Sequence, residues 1–438
     1  MTRRWLVGLA LLCLTSCAST GSIPNRQTVS DGLKERVGAD AAGFPLSAPP
    51  SLPPGVTLDD GLSNTEAVSI ALWNNPAFQV ALADLGFARA DLVEARQLRN
   101  PILSLLFPWG PKQLEATLQL PIEAIWQRPR RIKVATLNAD AIGARLMSDG
   151  LGVVALTRTS YVETSAADAR VRLSQESAAV WGSLRTITDA RLREGDISEL
   201  EARSVRSEAA MAQAAARGAE GDRDVARIQL EATLGYSIAN AALIPIDDLV
   251  IASCATSDQQ MTEAMAARPD VRAAELAVEA AGAQVGLERS RILNIAATLD
   301  ANGEGKEGFE LGPGLGLDLP INRNAGPRAR AAALLEQAAR RYIAVRVAVQ
   351  AELRTATARL ARAREVLRIW DQDVLETLHI ERQQSEKAYQ AGEVPLFSVL
   401  DTARRLVTAR RARLDARVEL LHAAIALDRA IGKSCAFP

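Results

Sequence analysis

An internal duplication constrains the fold of this chain more than any other feature of its sequence. Four short anchors recur in the same order at offsets of 193 to 199 residues. They are Asn75-Pro76 with Arg268-Pro269, Leu120-Pro121-Ile122 with Leu319-Pro320-Ile321, Glu194-Gly195 with Ala391-Gly392, and Leu234-Gly235 with Ile431-Gly432. Solenoid repeats are much shorter, at ~20 to 50 residues. We therefore predict two copies of one unit, at 58–250 and 251–438.

Each repeat contains one predicted β-hairpin. In the first repeat, residues 114–120 alternate apolar and polar side chains, as half-buried strands do, and an apolar run at 102–107 precedes them. The second repeat shows strand patterns at 295–301 and 309–319. We therefore expect one hairpin in each repeat, at about 101–122 and about 293–321.

Two hairpins are too few to form a complete membrane structure. A lone hairpin is marginal in water, and the smallest membrane barrels have about eight strands. In hydrocarbon every backbone polar group needs an internal partner. If these strands enter a membrane, several copies must share one barrel, with eight strands from two chains or twelve from three. A helical rod with two solvent-exposed hairpins remains the alternative.

Long helices are predicted after each hairpin. Between residues 122 and 195 there is no proline after Pro129, which predicts a helix of about 65 residues and about 100 Å. Gly195 and Gly392 are expected to end the long helices as turns, with a returning helix after each. In the last helix the apolar residues are spaced 4-3-4, a coiled-coil seam, at Leu414, Val418, Leu421 and Ile425.

Composition excludes several classes of protein. The 438 residues include 51 Lys+Arg and 52 Asp+Glu, so the excess of basic charge typical of nucleic-acid binders is absent. No apolar run after the first 15 residues approaches the ~20 needed for a transmembrane helix, which excludes a polytopic helical membrane protein. Two His, four Cys and five Met leave little material for a transition-metal enzyme, and His379 and His422 lie on separate predicted helices. We expect no enzymatic activity and no cofactor.

The N-terminus is typical of an exported protein. Arg3 and Arg4 precede a short apolar stretch, which predicts a signal peptide at 1–16. Leu14-Thr15-Ser16-Cys17 resembles a bacterial lipobox, so we predict acylation of Cys17 and sorting to the outer membrane. An ordinary signal peptide with an incidental cysteine is the alternative. Residues 17–57 are polar and rich in proline, and we expect a loop-like, extended spacer there.

Three motifs carry a resemblance to a known family. The first motif is Leu62-Ser63-Asn64-Thr65-Glu66-Ala67-Val68, followed by Ala71-Leu72-Trp73-Asn74-Asn75-Pro76. The second is Leu-Pro-Ile after each predicted hairpin. The third is Tyr389-Gln390-Ala391-Gly392-Glu393-Val394, followed by Val399-Leu400-Asp401. In their duplicated order these motifs resemble the TolC family of outer-membrane efflux channels. The run from Leu319 to Gly326 is similar to the form found in the cobalt-zinc-cadmium efflux branch.

The resemblance implies a mainly α-helical, TolC-like homotrimer. It implies a twelve-stranded β-barrel in the outer membrane, with four strands from each of three chains, and a long α-helical barrel across the periplasm. The implied function is passive export of metal cations or small toxic compounds. Its implied partners are outer-membrane lipid, a periplasmic adaptor and an inner-membrane pump of the resistance-nodulation-division (RND) type, with no nucleic acid. A lipid-anchored periplasmic coiled-coil adaptor or structural protein is the alternative.

The resemblance also assigns candidate site residues. Aligned on Gly392, one acidic position of the family's aperture rings falls on Asp401, and the other is occupied by Ser398. An ordinary solvated helix residue is the alternative for Asp401. The family's gating tyrosine matches Tyr389, whereas the position of its arginine partner holds Val394. The tips at Gly195 and Gly392 are expected to dock the adaptor. The charged residues around Gly195, among them Arg191, are expected to form a solvated helix tip.

Two cysteines remain after removal of the signal peptide and acylation of Cys17. Cys254 and Cys435 lie near the ends of the two repeats, in a compartment that permits disulfides. A disulfide between them is one expectation, and free buried thiols are the other.

Overall fold

The structure, a computed structural model, describes residues 24–39, 49–107, 109, 114–238, 242–244, 246–251, 258–303, 309–435 and 437. The predicted signal peptide, Cys17 and Cys254 lie outside the described residues. The chain divides into two compact units. The first includes Asp84–Gly143 and Glu275–Ala338, and the second comprises Arg26–Ala83, Ala144–Ala274 and Ala339–Pro438.

In both repeats of the described chain, helices precede a β-hairpin and long helices follow it. In and before the first repeat they are α1 Arg26–Val37, α2 Asn64–Asn74, α3 Pro76–Leu82, α4 Asp84–Arg96, β1 Ile102–Leu106, β2 Leu114–Pro121, α5 Glu123–Glu194 and α6 Glu199–Leu234. After a short 3-10 turn at Ile246–Asp248, the second repeat comprises α7 Asp258–Ala267, α8 Pro269–Ser290, β3 Ile295–Gly303, β4 Phe309–Leu317, α9 Ala325–Arg368, α10 Glu376–Gln390 and α11 Leu396–Ile431. Both predicted hairpins are confirmed, and so is the long helix, which has 72 residues.

Two features differ from the sequence-based expectations. Residues 26–37 form a helix, so the prediction of a loop-like spacer was wrong there. Val29 and Leu33 are fully buried on one face of α1, and a Cβ at Gly150 of α5 would lie 2.6 Å from Leu33, so the two helices pack closely. The second difference is a π-helical segment, Ile369–Leu375, between α9 and α10.

The two hairpins join into one antiparallel sheet with strand order β1-β2-β3-β4. The central pair is β2 and β3, in which Pro121 lies opposite Ala296, 175 residues later in the chain. The register places the start of β1, the end of β2, the start of β3 and the end of β4 at the same end of the sheet. The loops within the two hairpins therefore lie at the opposite end.

The helical core lies in the second unit. The predicted seam of α11 is confirmed, because Leu414, Val418, Leu421 and Ile425 are all buried. Tyr161 of α5 is fully buried beside this seam, and its hydroxyl donates to Leu62 O at 2.6 Å and accepts from Ile244 N at 3.0 Å. Burial raises the pKa of Tyr161 to about 12.

The start of each repeat is tied to the end of its returning helix in the same way. Asn75 donates from its side chain to Thr233 O at 2.8 Å, and Arg268 donates to Ala430 O at 3.0 Å. The two acceptors are 197 residues apart, which is the offset of the sequence anchors. The duplication is therefore visible in the hydrogen bonds as well as in the order of the elements.

A buried ion pair holds the C-terminal tail against α5. Arg158 donates to Asp428 Oδ2 at 2.8 Å, and both side chains are at most 6% exposed. Arg158 also donates to Ser434 Oγ at 2.9 Å, and Asp428 Oδ1 accepts from Cys435 N at 2.9 Å. The tail residues thus add hydrogen bonds to a charge pair that burial would otherwise make costly, although among the described residues Arg158 Nε has no hydrogen-bond partner.

Candidate membrane sheet and helix tips

The four-stranded sheet has one apolar face and one mainly polar face. Residues directly opposite each other in neighbouring strands share a face. The register aligns Leu118 with Leu103 on one side and with Leu299 on the other. The apolar face comprises Leu103, Leu105, Leu114, Ala116, Leu118, Leu120, Ile295, Ala297, Leu299, Ala301, Leu311, Pro313, Leu315 and Leu317. The opposite face comprises Ile102, Ser104, Leu106, Glu115, Thr117, Gln119, Ala296, Thr298, Asp300, Asn302, Glu310, Gly312, Gly314 and Gly316.

Much of the apolar face is exposed in the single chain. Leu103 is 60% exposed, Leu311 65% and Leu315 75%. A contiguous apolar surface of this kind marks a protein or membrane interaction site, because soluble monomers bury most such surface. On the other face the described strands carry three acidic residues, Glu115, Asp300 and Glu310, and no basic residue.

The outer edges of β1 and β4 are available for pairing. In the part of the chain that the structure describes, each of these strands has one neighbour in the sheet. Unpaired strand edges present a row of backbone donors and acceptors that another strand can pair with. Pro313 lies in β4, consistent with the rule that proline is confined to edge strands and bulges. The sheet therefore has an open edge on both sides.

Across the residues that the structure covers, no helix combines the length and apolar character required to traverse a bilayer.

Both helix tips close with the same backbone motif. Gly195 and Gly392 have φ values of 82° and 77°, a left-handed conformation that glycine adopts without steric cost. At the first tip Asp196 N donates to Arg191 O at 3.0 Å, and at the second Glu393 N donates to Ala388 O at 2.9 Å. This bond from the residue after the glycine to the last helical turn defines a Schellman motif. The predicted tip turns are therefore confirmed at both glycines.

The helices that leave the two tips begin differently. Ser198 and Glu201 form a capping box, with Glu201 N donating to Ser198 Oγ at 3.3 Å and Ser198 N donating to Glu201 Oε2 at 2.9 Å. The backbone N–H and the hydroxyl of Ser198 both donate to Glu201 Oε2 at 2.9 Å, and these two bonds lower the pKa of Glu201. At the second tip α11 follows Pro395, which provides no side-chain cap.

Each tip also presents one large apolar side chain to solvent. Leu200 is 78% exposed and Phe397 is 73% exposed. Both residues lie five positions after the turn glycine of their tip. The exposed surface of the tips is therefore partly apolar, in addition to the charged residues predicted there.

Tyr389 has a partner that the sequence reasoning missed. Arg191 of α5 donates to the Tyr389 hydroxyl, and its guanidinium carbon lies 5.4 Å from the centre of the Tyr389 ring. The two residues are 198 positions apart, close to the repeat offset, and each lies in the last turn before its tip glycine. The repeat offset is therefore the sequence feature that relates the positions of Arg191 and Tyr389. The expectation that Arg191 belongs to a solvated tip holds only in part, because it also joins the two tips.

Asp401 and Ser398 lie in the first turns of α11. Asp401 Oδ1 is 3.7 Å from Arg404 Nη2, and Arg404 Nη1 is 3.9 Å from Glu208 Oε1. Ser398 accepts at its backbone oxygen from the Thr402 hydroxyl at 2.8 Å. Among the residues described, no hydrogen bond or ion pair joins Asp401, Ser398 and Tyr389 to one another.

Cysteine and metal-ligand chemistry are limited in the described chain. Cys435 is disulfide-bonded, and Cys254, its predicted partner, is not among the described residues. His379 and His422 lie on α10 and α11, on separate helices as predicted. Within the described ranges, no group of three or more His, Cys, Asp or Glu side chains is arranged to hold a metal ion.

Comparison with known proteins gives one family match and several relatives. The family described as outer membrane efflux protein matches residues 261–433. The cobalt-zinc-cadmium resistance protein CzcC of Cupriavidus metallidurans is 25% identical over 373 residues, covering 84% of this chain and 89% of that protein. The pyoverdine export outer membrane protein OpmQ of Pseudomonas putida is 27% identical over 302 residues, covering 62% of this chain and 60% of that protein.

The fold is also found in solved structures. The crystal structure of a membrane protein from Pseudomonas aeruginosa matches with a TM-score of 0.74 and 18% identity, covering 89% of this chain and 99% of that chain. A match of this extent spans most of both repeats. This likeness shows that the two chains share a fold, and the family match makes residues 261–433 of this chain similar to outer membrane efflux proteins.

Proposed function

We propose that this chain is the outer-membrane channel component of a tripartite efflux pump, a passive conduit for metal cations or small toxic compounds. The observation that carries the proposal is the two-faced sheet with two open edges. Strands of membrane barrels alternate between apolar residues facing lipid and polar residues facing the lumen. β3 and β4 have nine residues each, near the ~9 to 11 that a strand needs to cross a bilayer.

The open edges favour assembly from several chains. Since each chain supplies four strands, three copies supply the twelve strands implied by the family resemblance. Pairing of β4 with β1 of the next copy satisfies the edge backbone groups that hydrocarbon would leave without partners. The acylated Cys17 anchors the N-terminus of each copy in the outer membrane, and the long helices form the periplasmic conduit.

The lumen face supports cation transport. It carries Glu115, Asp300 and Glu310 and no basic residue in the described strands, and acidic rings favour cations in pores. The relative CzcC is named for cobalt, zinc and cadmium, which agrees with a metal substrate. The relative OpmQ is named for pyoverdine export, which keeps small organic compounds as the alternative. Neither substrate class requires catalytic chemistry from this chain.

The tips are the proposed aperture and adaptor site. Arg191 and Tyr389 tie the two tips of one chain together and thereby favour the closed aperture, while Asp401 and Ser398 line it. Leu200 and Phe397 provide exposed apolar contacts for a periplasmic adaptor, which links the channel to an RND-type pump.

Replacing Tyr389 with Phe removes the hydroxyl that accepts from Arg191. This change is expected to raise the fraction of open channels in planar bilayers.

A matched pair of variants tests the channel. Leu315→Arg places a charge on the apolar face, whereas Thr298→Arg places it on the polar face of the neighbouring strand. We expect Leu315→Arg to abolish the detergent-resistant trimer in the outer-membrane fraction. Thr298→Arg is expected to retain the trimer and to shift conductance towards anions. An acylated wild-type protein that is monomeric and conducts no ions would refute the channel and leave the coiled-coil adaptor as the function.

Two further measurements address the finer assignments. Block of the current by hexaammine cations is expected to be weaker in Asp401→Ala than in the wild type. Equal block of the two proteins would refute the proposal that Asp401 lines the aperture.

We also propose that Cys435 pairs with Cys254. Mass analysis of non-reduced peptides tests this pairing directly, and a different partner for Cys435 would overturn it.

A further inference from the structure

The junctions between strands and helices carry a concentrated positive charge. The four junctions meet at one end of the sheet, because the register places residues 102, 121, 295 and 317 together there. We call the basic side chains of the adjoining segments 96–101, 122–133, 288–294 and 318–330 the basic belt. Its members are Arg96, Arg99, Arg128, Arg130, Arg131, Lys133, Arg289, Arg291, Arg323, Arg328 and Arg330.

The belt stands out against a chain that is otherwise balanced in charge. The whole sequence has 51 basic and 52 acidic residues. The four junction segments have eleven basic residues and three acidic ones, Glu123, Glu288 and Asp318. A local excess of positive charge of this size attracts anionic groups from outside the segments.

Most belt side chains are exposed, and the half-buried Arg131 lies close enough to other belt residues to be affected by their charges. Eight of the eleven are exposed, the exceptions being Arg96, Arg131 and Arg291. Glu288 accepts from Arg291 at 2.8 Å, and Glu123 lies 3.9 Å from Arg99. The pKa of Arg131 is lowered by burial and then by the charges of Arg99, Arg291 and Arg128, with Glu94 opposing the effect.

Apolar side chains are exposed at the same level. Ile125 is 62% exposed, Trp126 40%, Leu319 75% and Ile321 88%. Exposed tryptophan and aliphatic side chains mixed with arginine are typical of the boundary between hydrocarbon and headgroups, where each side chain reaches its preferred environment. The combination indicates a bilayer surface as the source of the counter-charge.

We propose that the basic belt binds the phosphate groups of anionic phospholipids in the leaflet that faces the helical part of the protein. The proposal rests on the proposed function, since it requires the sheet to enter a membrane. Arginine and lysine near an anionic surface attract its lipids, and neighbouring guanidinium groups bind phosphate oxygens in pairs. The belt thereby fixes the depth of the sheet in the bilayer and gathers anionic lipid around the channel.

Two triple variants with the same change in charge test the belt. Arg130, Arg328 and Arg330 are exposed belt residues, and the test variant replaces all three with Gln. Arg354, Arg364 and Arg411 are exposed arginines on α9 and α11, and the control variant replaces those three with Gln. Each protein is reconstituted in phosphatidylcholine vesicles with and without phosphatidylglycerol, and the lipids retained by the extracted assembly are counted by native mass spectrometry.

The outcomes separate binding of a lipid surface from binding of free anions. We expect the wild type and the control variant to retain phosphatidylglycerol in preference to phosphatidylcholine, and the belt variant to lose that preference by about tenfold. Equal retention by the belt and control variants would overturn the proposal. Displacement of the lipid by excess inorganic phosphate would overturn it too, since the belt would then be a site for free anions.

Conductance of the same vesicles distinguishes failure of this inference from failure of the channel. If the wild type forms a conducting trimer but shows no lipid preference, the belt proposal fails and the proposed function stands. If the wild type neither assembles nor conducts, the proposed function fails, and the belt proposal fails with it.

Discussion

Leucine is buried in the helical core but mostly exposed on the sheet. Leu421 on α11 is fully buried among the helices of the second unit, whereas Leu315 on β4 is 75% exposed. The core also completes its polar bonding internally, as Tyr161 does with Leu62 and Ile244. The sheet has an exposed apolar face and two open edges. The helical core therefore covers its apolar residues within one chain, whereas the sheet leaves an apolar face and two strand edges exposed.

The largest effect is expected from breaking the buried ion pair of the core. Arg158→Met leaves Asp428 charged and buried without its partner, which costs about 3 to 5 kcal/mol of unfolding free energy. Urea unfolding followed by helical circular dichroism measures the loss. Adding Asp428→Leu removes the stranded charge and should restore much of the stability. A single variant as stable as the wild type would show that the tail residues compensate for the missing arginine.

Truncating one leucine in each region tests the comparison directly. Leu421→Ala opens a cavity in the core and is expected to cost about 2 to 5 kcal/mol. Leu315→Ala removes an exposed side chain and is expected to change the unfolding free energy of the helices by less than about 0.5 kcal/mol. Both are measured by urea unfolding of the detergent-extracted protein. Equal losses would contradict the distinction between a covered core and an exposed sheet face.

Tyr161→Phe removes a hydroxyl that serves two backbone groups in the core. Leaving Ile244 N–H and Leu62 O unsatisfied is expected to cost about 1 to 3 kcal/mol. Folding raises the pKa of Tyr161 from 10.0 to about 12, so the folded state favours the protonated phenol. The contribution of the protonated Tyr161 hydroxyl to the free energy of unfolding is therefore fully present below pH 10 and is lost as the pH rises towards 12. Thermal unfolding from neutral to alkaline pH should show this dependence in the wild type and a weaker one in the variant.

The smallest effect is expected at the helix tips. Ser198→Ala removes the cap of α6 and is expected to cost about 1 kcal/mol locally, whereas Pro395→Ala at the second tip removes no side-chain bond. Amide hydrogen exchange at the first turns of α6 and α11 measures both changes. Folding lowers the pKa of Glu201, so the ionised carboxylate stabilises the start of α6 at any pH above the ordinary carboxyl pKa. This stabilisation is lost as the pH falls through the lowered pKa of the folded state. If Ser198→Ala accelerated amide exchange equally in the first turns of α6 and α11, the assignment of the cap to Ser198 would be contradicted.

Local periodicity in the sequence determined several features of the fold by itself. The two-residue alternation of 114–120 identified β2 and its apolar face, because side chains on successive strand residues point to opposite sides. The 4-3-4 spacing identified the buried seam of α11. The absence of proline after Pro129 predicted a helix of about 65 residues, and α5, which begins before Pro129, has 72. Gly195 and Gly392 marked the tips, since a left-handed turn at a helix end favours glycine.

Tertiary structure decided the features that join residues far apart in the chain. Only the fold pairs β2 with β3 and so turns two hairpins into one sheet with a continuous apolar face. It also buries Leu33 of α1 against α5, where composition suggested a loop, and brings Arg191 to Tyr389. It gathers the basic residues of four separate segments at one end of the sheet. The physical reason is that a pattern with a period of two or 3.6 residues fixes which face of an element is apolar, whereas the neighbour that covers this face depends on how the elements dock.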